Sequence, residues 1–190
     1  ARAMQPEGHS ARHPAAARDA TATRAASVRF ALLFVLLAGA LTAIASTDAA
    51  RVALHEPASR AVAVLTSWPL RLLGDVAAQG DELSFDGFRA VVVEACNGVL
   101  PTLIYCAAVL AFPSRWRDKA IGVAIGVPAI LLVNVVRVAS LMVLGAHWPS
   151  LFERMHIFVW QTLVIALAMA VWIYWVEAWV QPDEAAPAKR

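Results

Sequence analysis

Charge and sulfur are scarce in this sequence. Of its 190 residues only 16% are charged, and it holds two cysteines. A soluble domain is about 25% charged and about 45–50% apolar, whereas this chain is 60% hydrophobic. The lack of charge excludes a disordered chain, which needs many charges and few apolar residues. Two cysteines are too few for a disulfide-stapled secreted module. A net charge of only +2 gives no footprint for nucleic acid, so a nucleic-acid partner is not expected.

The apolar residues are clustered. Uncharged runs cover 30–47, 95–114, 120–136, 138–152 and 155–176. A bilayer span needs about 20 mostly apolar residues. The fold class expected is therefore all-α: a polytopic membrane helical bundle of about four transmembrane helices. The spans are read at Phe30–Ser46, Asn97–Phe112, Ala120–Leu144 and His156–Val176.

The first apolar run follows a long tail and nearly reaches span length, so it reads as a retained helix and not a signal peptide. Residues 1–27, rich in Ala and Arg, read as a disordered basic cytoplasmic tail, and 181–190 as a second one. Residues 28–180 form the transmembrane domain. Within it, 49–79 carries Val62, Leu65, Pro69, Leu70 and Leu73 at helical spacing, which suggests an interfacial amphipathic helix, two short ones, or a packed connector. In 81–95, Asp86-Gly87 lies between two runs rich in β-formers, a two-residue hairpin signal.

Sidedness follows from the basic residues. The N-terminal segment carries five arginines against two acids, and 113–119 (PSRWRDK) carries three basic residues against one acid. Between 47 and 95 seven acids face four arginines. Both basic segments belong in the cytoplasm. Four spans satisfy this, with both termini inside and 47–95 and 145–155 outside.

Three polar residues break the apolar pattern. Arg137 lies inside the third span, where an arginine costs at least a few kcal/mol. It is about 17 residues, roughly 25 Å, from the cytoplasmic end of that span, near the outer edge of a core about 30 Å thick. Asn134, three residues earlier, shares its face. Cys96 precedes the second span, where the helix dipole lowers a thiol pKa, and Gly98 allows close approach. His156 stands at the outer start of the fourth span; His147, beside Trp148 and Pro149, competes with it.

Taken singly, each has an ordinary alternative: a snorkelling or clamping arginine, a buried inert cysteine, a boundary histidine. Together they are a nucleophile, a cation and an acid–base group at one membrane face. Those are the parts needed to cleave a peptide bond through a thioester.

The segments Glu94-Ala95-Cys96-Asn97-Gly98 and Asn134-Val135-Val136-Arg137, with His156 heading the last span, resemble the exosortase/archaeosortase family. The resemblance covers about 85–176, and the small size resembles the short exosortase H subgroup. It implies a cysteine transpeptidase in the cytoplasmic (inner) membrane of a prokaryote. Its substrates would be exported proteins bearing a C-terminal sorting-signal helix, entering laterally from the membrane lipids. Cys96 would be the nucleophile, Arg137 the stabiliser of the carbonyl oxygen and His156 the acid–base group. Glu94, Asn97, Gly98 and Asn134 would surround them. One departure is Asn97, where many members have Ser; it bears on a neighbouring hydrogen bond and not on the reacting groups.

The rival readings are weaker. A thiol oxidoreductase needs paired cysteines, and Cys106 lies ten residues from Cys96, about 15 Å along one helix. Zinc or haem would need ligand spacings that are missing, so no metal and no cofactor is expected. The main alternative is a non-catalytic scaffold or transporter subunit binding an anion or partner helix through Arg137.

Overall fold

The computed structural model describes residues 14–180. Helix α1 (Pro14–Ala45) is followed by a short turn, α2 (Asp48–Ala50), a π-helical turn at Arg51–His55, and α3 (Glu56–Leu70). Three strands follow, β1 (Val76–Gln79), β2 (Glu82–Phe85) and β3 (Phe88–Val91). A 3-10 turn at Glu94–Cys96 leads into α4 (Val99–Ala111) and then α5 (Trp116–His147). The chain ends in α6 (Pro149–Arg154), a π-helical turn at Met155–Trp160, and α7 (Gln161–Trp179).

Among the described residues, Thr23–Ala45, Trp116–His147 and Pro149–Trp179 are long and apolar enough to cross a bilayer, with α4 a shorter apolar helix. This is a helical membrane bundle with a small sheet. The expected second span is reduced to the 13 residues of α4, about 20 Å of helix. Pro101 sits in its first turn, where a missing N–H breaks no helical bond.

The N-terminal segment differs from expectation. Residues 14–27, read as disordered, form the start of α1. They are alanine-rich, and alanine is the strongest helix former. The remaining parts of the expected tails, 1–13 and 181–190, lie outside the described residues.

The sheet also differs. Asp86 (φ 46°) and Gly87 (φ 86°) make the expected tight turn, pairing Phe85 with Phe88. Two successive positive φ angles match the twist of the flanking strands. A third strand, β1, pairs with β2 across Gly80-Asp81, so the expected hairpin is a three-stranded antiparallel meander. Residues 76–79, the end of the segment 49–79 read as interfacial helix or packed connector, are therefore strand.

One face of α3, Val62, Ala63 and Leu70, packs with Leu83 and Phe85 of β2 and with Val138 and Met142 of α5. Cys96 belongs to this core. The other face of α3 leaves Leu65 and Trp68 exposed, and Leu72 and Leu73 in the turn that follows are exposed as well. A second core joins Tyr105, Val109, Ile130 and Trp175, with Cys106 packed against it. The two cysteines thus lie in different cores, and both are free thiols.

The helices alternate in direction, giving the bundle two distinct ends. At one end Phe30 meets Phe112 and Trp172, and Trp175 Nε1 donates to the Asp118 carbonyl at 2.7 Å. The basic loop 113–119 is there. At the other end lie Ala45, the sheet, Cys96 and His156.

Candidate active site

Cys96 ends the 3-10 turn that leaves the sheet, its N–H donating to the Val93 carbonyl at 2.8 Å. Gly98 follows in the left-handed region, φ 79°, and caps α4. Neither a helical nor a strand ladder holds residues 96–98. Side chains hold them instead. Asn134 of α5 is fully buried and its Nδ2 donates to the Cys96 carbonyl at 2.7 Å. Asn97 is fully buried; its Oδ1 accepts from the Val99 N–H at 3.0 Å, an Asx turn at the helix entry.

The thiol meets two groups. His156 Nε2 lies 3.0 Å from Cys96 Sγ. Arg137 Nη2 lies 3.8 Å from it, one turn beyond Asn134 on α5. Arg137 is only 4% exposed, and no carboxylate among the described residues forms an ion pair with it. Its Nε and the Asn134 Oδ1 are both buried without a partner among the described residues. Buried polar atoms without partners are rare, because each costs about 1–3 kcal/mol. Here one donor and one acceptor, three residues apart on α5, are left over beside the thiol.

His156 is not at the start of its helix, as the sequence suggested. The helix begins at Pro149, whose fixed φ suits a first helical position, and His156 lies in the π-helical turn. Such turns redirect side chains and recur at functional sites. Its ring packs 5.8 Å from that of Phe152, which lies 5.4 Å from Phe88 of β3.

The thiol pKa also departs from expectation. A helix N-terminus was expected to lower it. Burial instead pushes the Cys96 thiol up, opposed by the Arg137 guanidinium. The 3-10 turn and Gly98 set Cys96 off from the first turn of α4, and desolvation is the largest influence on the thiol. Burial thus favours the neutral thiol, which needs a base in order to react, and His156 is in contact with it.

The other candidates are distributed unevenly. Gly98 packs against Asn134. Glu94 is exposed and forms no hydrogen bond with the thiol; it lines a polar cleft with Arg51, His55, Glu56, Ser59 and Arg60. His147 is exposed and its Nδ1 lies 3.1 Å from the Val143 carbonyl in its own helix. Sequence reading missed His55 and Ser59, which hold Asn97 from beneath. Only the isolated histidine in a stretch of charges pointed to them. Among the described residues, no three His, Cys, Asp or Glu side chains are grouped closely enough to hold a metal ion.

Comparison with known proteins adds one match: a family model described as transmembrane exosortase fits residues 20–177. No curated protein and no solved structure matches.

Proposed function

The chain belongs to the transmembrane exosortase family, and from that premise we propose that it is a cysteine transpeptidase cleaving C-terminal sorting signals of exported proteins. The observation that carries the reading is the pair of contacts at Cys96 Sγ, 3.0 Å to His156 Nε2 and 3.8 Å to Arg137 Nη2.

In this mechanism His156 takes the thiol proton as Sγ attacks the scissile carbonyl carbon. The carbonyl oxygen becomes an oxyanion facing the Arg137 guanidinium, whose unpartnered Nε–H is a donor already dehydrated. Collapse expels the amine, which leaves with the proton held by His156. The acyl group remains on Sγ as a thioester. An acceptor nucleophile then attacks the thioester, gives its proton to His156 and releases the product. The thiolate recovers that proton.

The substrate helix would enter laterally from the lipid, with its cleavage site at the end of the bundle that holds Cys96. That end is opposite the basic loop 113–119, a pattern that supports an extracytoplasmic site and cytoplasmic termini. This assignment makes the protein a multi-pass enzyme of a prokaryotic inner membrane.

The alternative, a scaffold using Arg137 to bind an anion or partner helix, has less support. The guanidinium is buried against the sulfur and is not offered to the bundle surface. The deciding experiment is Cys96→Ala, scored for processing of a substrate carrying a C-terminal sorting signal in the same membranes. Loss of processing at normal protein abundance is expected. Undiminished processing would end the nucleophile role.

A further inference from the structure

Among the buried ionisable side chains that the mechanism leaves without a task, His55 lies nearest in the hydrogen-bond network to Cys96. His55 is 5% exposed and lies in the π-helical turn before α3. Both of its ring nitrogens are engaged. Nε2 is 3.1 Å from the Ala45 carbonyl at the end of α1, and Nδ1 is 3.1 Å from Asn97 Nδ2.

The network fixes the protons. A carbonyl only accepts, so the ring donates through Nε2–H to Ala45. The Asn97 amide is oriented by three further contacts. Its Oδ1 accepts from the Val99 N–H at 3.0 Å, and its Nδ2 lies 3.3 Å from both the His55 carbonyl and Ser59 Oγ. The amide nitrogen therefore faces the ring and donates to Nδ1. A flipped amide would oppose two carbonyl oxygens and two N–H groups. His55 thereby donates through Nε2 and accepts at Nδ1, roles assigned by its partners.

We propose that His55 is a positioning residue for Cys96, acting through Asn97. The role rests on the reading of Cys96 as the reactive thiol. Asn97 is the next residue in the chain, and the peptide between the two is gripped from both sides. Asn134 holds the Cys96 carbonyl from α5, while His55 and Ser59 hold the Asn97 amide from the α2–α3 side. Gly98 beyond them adds no stiffness. Without the acceptor at His55 Nδ1, Asn97 loses one of its buried partners, the grip on the peptide loosens on that side, and the 3.0 Å contact of Sγ with His156 is weakened.

The ordinary alternative is that His55 merely ties α1 to α3 through Ala45. Two substitutions separate these roles. His55→Asn sets a carbonyl oxygen where Nδ1 stood, so it keeps the acceptor for Asn97 and loses Ala45. His55→Gln reaches as far as Nε2, so it keeps a donor for Ala45 and loses the acceptor for Asn97.

The measurement is the pH profile of Cys96 alkylation by iodoacetamide, in the full-length membrane protein with Cys106→Ala so that one thiol reports. His156→Ala supplies the profile of an unpaired thiol. The positioning role predicts that His55→Asn superposes on the parent profile, and that His55→Gln is displaced towards His156→Ala. A His55→Gln profile that superposes on the parent overturns the proposal, as does an equal displacement in both variants. Folding is checked by thermal melting of each variant in detergent. Because the readout is thiol chemistry, it does not depend on peptide processing. Failure of the transpeptidase reading appears separately, as unchanged processing in Cys96→Ala.

Discussion

Asn134 and Gly98 meet so closely that a side chain on the glycine would crowd the asparagine: a Cβ built on Gly98 would lie 3.1 Å from Asn134 Cγ. Gly98 also has φ 79°, where an L-residue costs roughly 1–2 kcal/mol. Gly98→Ala therefore carries two penalties, one in the backbone and one in the displacement of Asn134. The second acts on the hydrogen bond that holds the Cys96 carbonyl. The expected result is a lowered melting temperature in detergent and a loss of processing larger than the loss of folded protein. A Gly98→Ala variant with parental melting and processing would show that the close approach has no consequence.

Asn134 itself is expected to be less replaceable than its position in an apolar helix suggests. Its Nδ2 donates to the Cys96 carbonyl at 2.7 Å. Asn134→Leu removes that donor and strands a buried carbonyl, a cost of about 1–3 kcal/mol. An ionised Asn134→Asp cannot restore it, because a carboxylate only accepts. Both variants should reduce processing about tenfold or more, the rate equivalent of about 1.4 kcal/mol. Single-turnover kinetics in purified membranes checks this, and rescue by Asp would refute the donor role.

Much of this arrangement was legible because it breaks a pattern. Arg137, Cys96 and His156 stand out against apolar runs, so they could be picked out in the sequence, and the structure brings them together. Asp86-Gly87 was legible because few residues tolerate two positive φ angles. Other features offered no such contrast. Val76-Ala77-Ala78-Gln79 holds one β-branched residue, and it is a strand because β2 pairs with it. The charges at Glu153 and Arg154 suggested a loop, although the helix already begins at Pro149. His55 lies among Arg51, Glu56 and Arg60, where a histidine disturbs nothing. Its meaning comes from Asn97, 42 residues away.

The electrostatic balance at Cys96 gives a prediction with a sign. Burial raises the thiol pKa and the Arg137 guanidinium lowers it. Replacing the cation by a neutral side chain, Arg137→Gln, removes only the lowering influence, so the pKa rises further. The thiolate fraction at any pH below the pKa then falls. Alkylation of Cys96 should be slower at a fixed mildly alkaline pH, and its pH profile should move to higher pH. A profile moved to lower pH, or an unmoved one, would mean that the 3.8 Å approach of Arg137 has no influence on the sulfur.

Cys96→Ser separates enzyme from scaffold most sharply, because it changes one atom and little else. The hydroxyl still fits the site and still finds His156 within hydrogen-bonding range. A scaffold that binds through Arg137 should therefore work normally with serine. A transpeptidase should not. Burial already disfavours ionisation of a thiol at this position, and a hydroxyl is a weaker acid and a poorer nucleophile than sulfur. Among the described residues nothing else is arranged to offset that deficit: Arg137 approaches position 96 only at 3.8 Å, and His156 is the base in contact with it. The expected loss of processing is on the order of a hundredfold or more, the lower range of what acid–base assistance contributes. Membrane abundance and melting should be unchanged. Parental processing by Cys96→Ser would move the function of this bundle away from covalent catalysis and towards Arg137 as a binding residue.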